Sequence, residues 1–294
     1  MVSQLITPSD WQDYELIDSG NFEKLERFGE FIIARPEPQA LWQKSLSDKK
    51  WNEMSDAYFR RDAKSEERGE WMLKPKMKEQ WHVNYKYKGM SIKMRLGLTS
   101  FKHVGIFPEQ AANWNFIYDS VKDQLAQGMD AKVLNLFAYT GGATLAAKSA
   151  GAEVTHVDSV KQVVSWTREN MELSSLSNIR WIVEDARKFV NKEVKRENKY
   201  TGIILDPPAY GRGADNEKWI LEKDIYDLLV SCEKLLSKGG FLVFNLYSMG
   251  LSALLAKGLL EQIFGAENIE FGELFFVDSY KKTLPLGVFA RFKR

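Results

Sequence analysis

The sequence contains few of the residues that build disulfide bonds and metal centres. Its 294 residues include one cysteine, Cys232, and three histidines, at positions 82, 103 and 156. A single cysteine excludes an internal disulfide bond and any metal cluster held by several thiolates. The histidines lack the spacing of a zinc site. We therefore expect chemistry that uses no metal ion.

Long apolar runs are absent as well. No stretch approaches the roughly 18 consecutive apolar residues that a membrane-spanning helix requires. Acidic residues at positions 10, 13, 15 and 18 occupy the place where a secretory signal needs a basic start followed by an apolar run. The sequence predicts a cytoplasmic protein without a membrane partner, and it leaves the oligomeric state open.

Charge is unevenly distributed, although the formal net charge is only +1. Residues 1–59 hold 6 basic and 11 acidic side chains, whereas residues 60–102 hold 12 basic and 5 acidic ones. Such a basic segment can attract a polyanion such as RNA, or its lysines can simply lie on the solvated face of β-hairpins. The tryptophans of this part of the chain also allow two interpretations. They can stack on unpaired bases or, as we favour, fill the core of a small domain.

The first part of the chain predicts a small, mostly antiparallel α+β domain, which we place at residues 1–104. Short runs of aromatic and β-branched residues alternate with polar ones at 14–18, 30–35, 81–87 and 90–96. Lys88 and Gly89 separate the last two runs, as in a β-hairpin. Residues 47–70 are dense in charge and fit either a helix or a connector.

Residues 105–294 predict a doubly wound, mostly parallel α/β sheet. Short apolar strands at 132–137, 153–157, 179–183, 202–205 and 241–245 alternate with helical segments, the longest at 217–236. Buried strands that alternate with helices are typical of a parallel sheet covered by helices on both faces. The final strands, near 269–277 and 286–292, have no helix between them, and we expect them to form an antiparallel hairpin at the sheet edge.

Candidate functional residues follow the predicted strands, because doubly wound sheets bind ligands at the carboxyl ends of their strands. The first strand leads into a Gly-Gly turn at residues 138–142. Paired glycines let a backbone approach a ligand closely, although such a turn is as often a tight connection. Asp158 follows the second strand, where a carboxylate can accept the hydroxyl hydrogens of a ribose. Alternatively, Asp158 or Ser159 caps the next helix.

The third and fourth strands end in further acidic residues. Asp185 can accept a hydrogen bond from an adenine amino group or, alternatively, cap the helix that begins at Ala186. Asp206 is followed by Pro207 and Pro208, which hold the loop extended and leave the Asp206 carboxylate and the Pro207 carbonyl as fixed acceptors. Such a pair can bind the amino hydrogens of a planar base while an aromatic side chain stacks on it.

Together these strand ends resemble those of the class I S-adenosylmethionine-dependent methyltransferases, and more closely the bacterial 23S ribosomal RNA large-subunit methyltransferase-like group. The similarity spans residues 100–250 and is carried by residues 101–110, 133–142, 156–159, 184–186 and 206–208. These motifs are specific as a set, although each alone is weak. The resemblance implies S-adenosylmethionine as the cofactor and ribosomal RNA as the partner.

The resemblance also implies roles for individual residues. Residues 138–142 would wrap the methionine moiety, Asp158 and Asp185 would hold the ribose and the adenine, and residues 107–110 would form one wall. The implied cofactor site consists of His103, Phe107, Pro108, Gln110, Asn135, Phe137, Ala138, Tyr139, Thr140, Gly141, Gly142, Asp158, Ser159, Asp185 and Ala186. The candidate catalytic residues are Asp206, Pro207 and Tyr210.

The sequence departs from the cytosine-5 enzymes of this group, which carry a cysteine after the fifth strand. That place reads Asn245-Leu246-Tyr247-Ser248-Met249 here, and Cys232 lies on the apolar face of a predicted helix, where a thiol is inert. We therefore expect direct methyl transfer to nitrogen or oxygen, which needs only an oriented acceptor. Asp206 with Tyr210 suits an exocyclic amine, although Tyr210 lies one residue later than in the usual Asp-Pro-Pro-Tyr loop.

Two other functions stay open at this point. The first is methylation of a small molecule or of a protein side chain, and the second is RNA binding without catalysis by a protein that retains only the fold. The basic segment favours RNA over the first alternative, and the intact strand ends argue against the second. A salt-dependent interaction with RNA would separate an RNA substrate from a small one.

Overall fold

The computed structural model describes residues 2–8, 11–62, 68–213, 217–247 and 250–294. Within these residues the helices, apart from a short 3₁₀ helix at Pro108–Gln110, are α1 (Asp48–Met54), α2 (Ala111–Ala126), α3 (Gly142–Ala150), α4 (Lys161–Leu173), α5 (Ala186–Lys195), α6 (Leu221–Leu235) and α7 (Ala253–Phe264). The strands are β1 (Gln4–Ile6), β2 (Tyr14–Gly20), β3 (Glu23–Phe28), β4 (Phe31–Pro36), β5 (Ala57–Arg61), β6 (Gly69–Leu73), β7 (Gln80–Tyr87), β8 (Met90–Gly97), β9 (Lys132–Leu136), β10 (Glu153–Asp158), β11 (Ile179–Val183), β12 (Tyr200–Leu205), β13 (Tyr210–Arg212), β14 (Lys218–Ile220), β15 (Leu236–Leu246), β16 (Glu270–Val277) and β17 (Thr283–Lys293).

Eight strands form one large sheet in the order β1-β16-β17-β15-β12-β9-β10-β11. The strands from β15 to β11 in this order pair in parallel, whereas β17 runs antiparallel to both β15 and β16. The strand order reverses between β9 and β12, so the crevice at the carboxyl ends of these strands is the expected ligand site. The predicted doubly wound, mostly parallel sheet is confirmed.

Both faces of this sheet are buried, because the side chains of a strand point alternately to opposite faces. In β9, Val133 joins the core that includes α2 and α3, whereas Leu134 and Leu136 join the core formed with α5, α6 and α7. The side chains on both faces of the strand are therefore apolar, which is why the buried strands are recognisable in the sequence as continuous apolar runs. Asn135 shares the face of Val133 and is a buried polar exception.

The first part of the chain forms a five-stranded sheet in the order β2-β3-β4-β5-β6 and a separate hairpin of β7 and β8. Neighbours in the sheet are antiparallel except β4 and β5. Lys88, at a left-handed φ of 49°, lies in the predicted turn between β7 and β8. The predicted antiparallel α+β architecture is confirmed. Residues 47–70 form α1, β5 and the start of β6, and residues 63–67 lie outside the described residues.

Three short strands depart from the expected architecture. The antiparallel hairpin of β16 and β17 forms as predicted. It does not lie at the sheet edge, where the sequence placed it, because β1 pairs with β16 and forms the edge itself. β13 and β14 pair with each other, and α6 consequently begins at Leu221 rather than at residue 217. The Trp219 side chain is buried, and its indole donates a hydrogen bond to the Pro208 carbonyl at 2.7 Å. This anchor holds residues 218–220 extended.

One apolar core connects the two parts of the chain. Trp71 and Trp81 from the first part belong to the same cluster as Trp114 on α2 and Leu145 on α3. All three tryptophans are more than nine-tenths buried, which confirms their interpretation as core residues. Because this core is shared, the division into domains between residues 104 and 105 stays a prediction.

Neither a membrane-spanning helix nor a metal site is found in the described part of the chain. No helix there is long and apolar enough to cross a bilayer. No group of three or more histidine, cysteine, aspartate or glutamate side chains there is arranged to hold a metal ion.

Candidate active site

The connection from β9 to α3 is a tight loop in which three residues adopt left-handed backbone angles. Phe137, Tyr139 and Gly141 have φ angles of 54°, 48° and 87°. The Ala138 N–H donates to the Val157 carbonyl of β10 at 3.1 Å, which ties the loop to the neighbouring strand. The loop therefore lies across the carboxyl ends of β9 and β10, where the sequence predicts the cofactor.

The two glycines of this loop are needed for packing within the protein. A Cβ atom on Gly141 would lie 2.1 Å from the Thr167 side chain on α4, and one on Gly142 would lie 2.3 Å from the indole of Trp114 on α2. Both distances are far shorter than a van der Waals contact. The glycines thus let the loop pack against α2 and α4. This packing explains them without the close approach of a ligand that the sequence suggested.

Replacing Gly142 with alanine is expected to destabilise the protein by about 1–3 kcal/mol, because the new methyl group overpacks against Trp114. Urea unfolding measures the change as a lower midpoint. Gly258→Ala on α7 is the matched control, since a Cβ atom there meets open space and alanine favours a helix. Equal stability of Gly142→Ala and the wild type would show that the Trp114 ring moves aside freely.

Asp158 ends β10 and braces both the loop and the following helix. Its Oδ2 accepts a hydrogen bond from the Tyr139 N–H and its Oδ1 accepts one from the Val160 N–H, both at 2.9 Å. Burial raises the pKa of this carboxyl group, while the two N–H groups act in the opposite direction. Val160, not Asp158 or Ser159, is the N-cap of α4, and the Ser159 hydroxyl donates to the Arg212 carbonyl at 3.3 Å. Because each carboxylate oxygen has two lone pairs, both can still accept from a ligand.

Asp185 caps α5, which is the alternative role that the sequence allows. Its Oδ1 accepts hydrogen bonds from the N–H groups of Arg187 and Lys188 at 3.0 and 3.1 Å. Ala186, the first residue of α5, is buried beside it. A Cβ atom on Gly213 would lie 3.3 Å from the Cβ atom of Asp185. Gly213, which directly follows β13, therefore packs against this cap. The role of Asp185 toward adenine stays a prediction.

A pocket opens at the carboxyl ends of β9, β12 and β15, where the strand order reverses. The predicted site residues that line it are Phe107, Gln110, Asn135, Phe137, Ala138, Tyr139, Thr140, Gly141, Gly142 and Asp206. Among the described residues, its lining does not include His103, Pro108, Asp158, Ser159, Asp185, Ala186, Pro207 or Tyr210. The pocket therefore joins the loop after β9 to the acid after β12, while the other predicted residues lie around it.

Asp206 lines the pocket directly after β12. Its Oδ1 is buried and has no hydrogen-bond partner among the described residues. Burial raises the pKa of this carboxyl group to about 7, and the negative charge of Glu109 adds to the increase. An unpaired buried acceptor costs about 1–3 kcal/mol. Such a group in a cleft is a candidate for binding a hydrogen-bond donor of a ligand.

The β13–β14 hairpin fixes the loop after Asp206 and carries Tyr210 away from the pocket. Trp219 on β14 holds the Pro208 carbonyl through its indole. Pro207 is buried, whereas Tyr210 lies on β13 with 54% of its surface exposed. The structure thus keeps Asp206 in the pocket but does not bring Tyr210 to it, because the two residues are separated by the turn into the hairpin.

Phe107 is the centre of an aromatic wall. Its ring centroid lies 5.6 Å from that of Tyr139, 5.4 Å from that of Tyr247 and 5.1 Å from that of His103. Pro108, which begins the 3₁₀ helix, is buried behind it. Burial raises the pKa of Tyr139 to about 12, so its hydroxyl stays protonated at neutral pH. The wall offers an apolar surface on which a planar group can stack.

Tyr247 occupies the segment after β15 in which the cytosine-5 enzymes carry a cysteine. Its hydroxyl accepts a hydrogen bond from the Gln110 side-chain amide. Burial raises its pKa, and the charges of Glu109 and Asp206 add to this effect. The sequence prediction omitted Tyr247 from the site, although its position directly after a strand was the available signal. Residues 248 and 249 of the same segment lie outside the described residues.

Two asparagines that the sequence prediction omitted, Asn113 and Asn245, line the pocket itself. Asn113 on α2 donates hydrogen bonds to Gln110 Oε1 at 3.0 Å and to Asn245 Oδ1 on β15 at 2.9 Å. The Arg291 guanidinium in turn donates to Asn113 Oδ1 at 3.0 Å. A polar side chain within the apolar run of β15 was the signal for Asn245. The sequence contains no comparable signal for Asn113, because only the packing of α2 on the sheet brings this residue to the pocket.

A second buried hydrogen-bond chain lies between β9, α3 and β10. Asn135 donates to Thr144 Oγ1 at 2.9 Å, and this hydroxyl lies 2.9 Å from His156 Nδ1. Burial lowers the pKa of His156 to about 3, so its ring is neutral. Its Nε2 has no partner among the described residues. Within the described residues, the His156 ring thus has a hydrogen-bond partner at Nδ1 only.

Glu109 links the pocket to a charged cluster in the first part of the chain. It is buried within the 3₁₀ helix, and burial raises its pKa to about 7 while the positive charges of Lys24 and Arg35 oppose the increase. Arg35 itself donates two hydrogen bonds to the Glu26 carboxylate, at 2.6 and 3.1 Å. Residues of β3 and β4 thus act electrostatically on the acidic end of the pocket, which the sequence did not predict.

Known proteins resemble this chain in sequence and in fold. The family described as "Conserved hypothetical protein 95" matches residues 111–256. The crystal structure of the S-adenosylmethionine-dependent methyltransferase from Agrobacterium tumefaciens is 35% identical and superimposes with a TM-score of 0.91. That match covers 100% of this chain and 94% of the Agrobacterium chain.

Ribosomal RNA large subunit methyltransferases K/L are similar over a shorter range. The Shewanella frigidimarina protein is 31% identical over 157 residues, which are 52% of this chain and 21% of the relative. The Aeromonas hydrophila protein is 34% identical over 147 residues, which are 47% of this chain and 20% of the relative. The chain thus spans about a fifth of the length of these relatives.

A doubly wound sheet with a pocket where the strand order reverses, together with a match that covers 94% of the Agrobacterium chain, defines the class. The chain belongs to the S-adenosylmethionine-dependent methyltransferases, and its cofactor is S-adenosylmethionine. The resemblance drawn from the sequence is confirmed. The roles of the individual site residues stay predictions.

Proposed function

We propose that this methyltransferase acts on RNA and transfers the methyl group directly to a nitrogen or oxygen atom, without a cysteine adduct. The observation that carries the proposal is the position of the single cysteine. Cys232 is fully buried on α6, in the core on the sheet face opposite to the pocket. Burial raises the pKa of its thiol far above the ordinary value. A covalent route needs an accessible thiolate beside the acceptor.

The residues around the pocket fit the cofactor. When bound, S-adenosylmethionine supplies an electrophilic methyl group carried by a sulfonium sulfur. We assign residues 138–142 to its methionine part, Asp158 to the ribose hydroxyls and the Asp185–Ala186 helix start to the adenine. The spare lone pairs of Asp158 support this assignment, because they offer acceptors to the hydroxyl hydrogens of the ribose.

Asp206 is the residue that we assign to the methyl acceptor. Its Oδ1 accepts a hydrogen bond from the N–H or O–H of the acceptor and so fixes the direction of the acceptor's lone pair. With a pKa raised by burial to about 7, the carboxylate can also take up the proton that the acceptor releases. Phe107 and Tyr247 provide rings on which a planar base stacks, and buried Pro207 holds the loop. Tyr210, outside the pocket, has no part in this step.

Two observations support RNA as the substrate. The relatives from Shewanella and Aeromonas are named ribosomal RNA large subunit methyltransferases, although each matches over about a fifth of its length. Within the basic segment, Lys76, Lys78, Lys86 and Lys88 are exposed, and exposed cationic side chains contribute to binding of phosphate groups.

Incorporation of a tritiated methyl group tests the substrate. The protein is incubated with labelled cofactor and total RNA from a strain that lacks it, and the labelled RNA is digested for nucleoside mass spectrometry. We expect label in RNA from the deletion strain and little in RNA from wild-type cells, whose site is already methylated. Label in protein or small molecules, with none in RNA, would contradict the proposal.

Cys232→Ala tests the route of transfer. We expect methyl incorporation close to that of the wild type and a packing penalty of roughly 1 kcal/mol, because the substitution only removes a small buried group. A thermal melt serves as the folding control. A well-folded Cys232→Ala protein without activity would bring thiolate chemistry back and rule out direct transfer.

A further inference from the structure

An exposed strip of aromatic and basic side chains lies on the outer face of the β5–β6 hairpin. The register aligns Tyr58 with Met72 and Arg60 with Glu70, and cross-strand partners share a face. Alternation along the chain places Arg68 on the same face, where it forms an isolated bridge with Phe101. The outer strip is defined here as Tyr58, Arg60, Arg68 and Phe101.

The opposite face of this hairpin packs into the apolar core. Phe59 and Trp71 are buried there, with ring centroids 5.3 Å apart. In contrast, Tyr58 is 43% exposed and Phe101 is 42% exposed. The aromatic rings of the outer strip therefore leave apolar surface in water that the fold does not use.

The backbone holds Phe101 in this exposed position. The Phe101 carbonyl accepts a hydrogen bond from the Trp71 indole at 3.0 Å, and the Ser100 carbonyl accepts one from the Gly69 N–H at 3.0 Å. The guanidinium carbon of Arg68 lies 5.5 Å from the centroid of the Phe101 ring. A ring that is already fixed loses little conformational entropy when a ligand stacks on it.

The outer strip ends beside the pocket. Phe101 precedes His103 by two residues, a span of at most about 7 Å of extended chain. The His103 ring lies 5.1 Å from the Phe107 ring, and Phe107 and Asp206 both line the pocket. A polymer whose reacting unit enters the pocket can therefore reach Phe101 with an adjacent unit.

We propose that the outer strip binds the nucleotide adjacent to the methylated one, with its unpaired base stacked on Phe101 and its phosphate near Arg60 and Arg68. The inference rests on the proposed action on RNA. Aromatic side chains beside basic ones bind single strands in this way, because every unpaired base offers a stacking face. The strip falls mainly within residues 60–102, which hold 12 basic and 5 acidic side chains. Glu70, paired with Arg60 at 2.8 Å, is the acidic member of this face.

Binding of two fluorescent probes tests the strip: a single-stranded oligouridine of about 12 nucleotides, within the site sizes of single-strand binders, and a duplex of the same length. Phe101→Ala should raise Kd for the single strand about five- to twentyfold, the lower part of the range for loss of one stacked base. Its Kd for the duplex and for S-adenosylhomocysteine should stay unchanged. Phe101→Trp should restore single-strand binding, while Phe101→Leu, which keeps apolar bulk without the ring, should not.

Tyr226→Ala is the matched control, because Tyr226 is 45% exposed on α6, away from the strip. It should leave both probes unaffected. In methylation assays Phe101→Ala should raise KM for RNA and leave kcat unchanged at saturating RNA. Arg60→Gln should reduce the slope of binding against salt concentration by about one, as expected for one lost phosphate contact.

The outcomes separate the two proposals. A wild-type protein that binds neither probe and methylates no RNA overturns both the RNA substrate and the strip. A wild type that methylates RNA, with a folded Phe101→Ala variant of equal KM and Kd, overturns the strip alone. If Phe101→Ala has a lowered melting temperature, Phe101→Leu and Arg60→Gln provide the test instead. Unchanged single-strand binding by both of these variants overturns the proposed role of the outer strip.

Discussion

Asp206→Ala is expected to lower kcat/KM for RNA methylation by roughly 10²–10³-fold while changing the affinity for S-adenosylhomocysteine little. Alanine removes both the orientation of the acceptor and a site for its proton, and each effect contributes on this order. Asp206 Oδ1 forms no hydrogen bond with the described residues, so its removal breaks no such bond within them. Tritium incorporation measures the first effect and calorimetry the second.

Asp206→Asn separates catalysis from stability. Burial raises the pKa of Asp206 from its ordinary 3.8 to about 7, so the native state binds the proton more tightly than the unfolded state. The stability linked to this group is complete below about pH 4 and is lost as the pH rises through 7. An uncharged amide avoids that loss. At pH 8 the variant should therefore be more stable than the wild type by on the order of 1–3 kcal/mol, although far less active.

The same pKa predicts the pH profile of the wild type. We expect kcat/KM to rise through about pH 7 as Asp206 ionises. Glu109→Gln should move this rise to lower pH, because the charge of Glu109 contributes to the raised pKa. Asp123→Asn, which removes an exposed ion pair with Lys293, is the matched control and should change neither activity nor stability appreciably. Full turnover by a folded Asp206→Ala protein would refute this role for the carboxylate.

Strand ends were the most predictable part of the site. Asp158 and Asp206 could be located because buried parallel strands are continuous apolar runs, and the residue after each run lies at the ligand-binding edge. Asn113 could not be located from the sequence, since it reaches the pocket only through the packing of α2 on β15. The electrostatic environment of Glu109, which belongs to the predicted wall at residues 107–110, was equally hidden, because its charged neighbours Lys24 and Arg35 come from strands far away in the sequence.

Short strands limited the prediction of the fold. β1 and β14 each contain three residues, too few for an alternating pattern to stand out. The sequence interpretation therefore merged β14 into the long helix that it predicted at residues 217–236. The merger also concealed the hairpin that carries Tyr210 to the surface. The assignment of Tyr210 from the motif rests on its closeness to Asp206 in sequence, whereas in the structure Tyr210 is exposed on β13 and does not line the pocket.

Asp158→Ala is expected to weaken binding of S-adenosylhomocysteine by about 1.5–3 kcal/mol, because charge-assisted hydrogen bonds to the ribose hydroxyls are lost. The substitution also removes the acceptor of the Tyr139 and Val160 N–H groups, so some loss of stability accompanies it. Ser47→Ala, which deletes the side-chain cap of α1 in the first part of the chain, provides the comparison. It should cost about 1 kcal/mol of stability and leave cofactor affinity unchanged.

A 2′-deoxyribose analogue of S-adenosylhomocysteine separates the two roles of Asp158. If the carboxylate accepts from the ribose, the wild type should bind the analogue roughly ten- to a hundredfold more weakly than S-adenosylhomocysteine, since one hydrogen bond to a charged group contributes about 1.5–3 kcal/mol. Asp158→Ala should bind both ligands with similar affinity, because the acceptor is already gone, and the difference between the two proteins is the coupling energy. An equal penalty for the analogue in both proteins would show that Asp158 acts only by bracing the loop between β9 and α3. Calorimetry at one pH measures all four affinities, and a thermal melt of each protein confirms that the folded state is being compared.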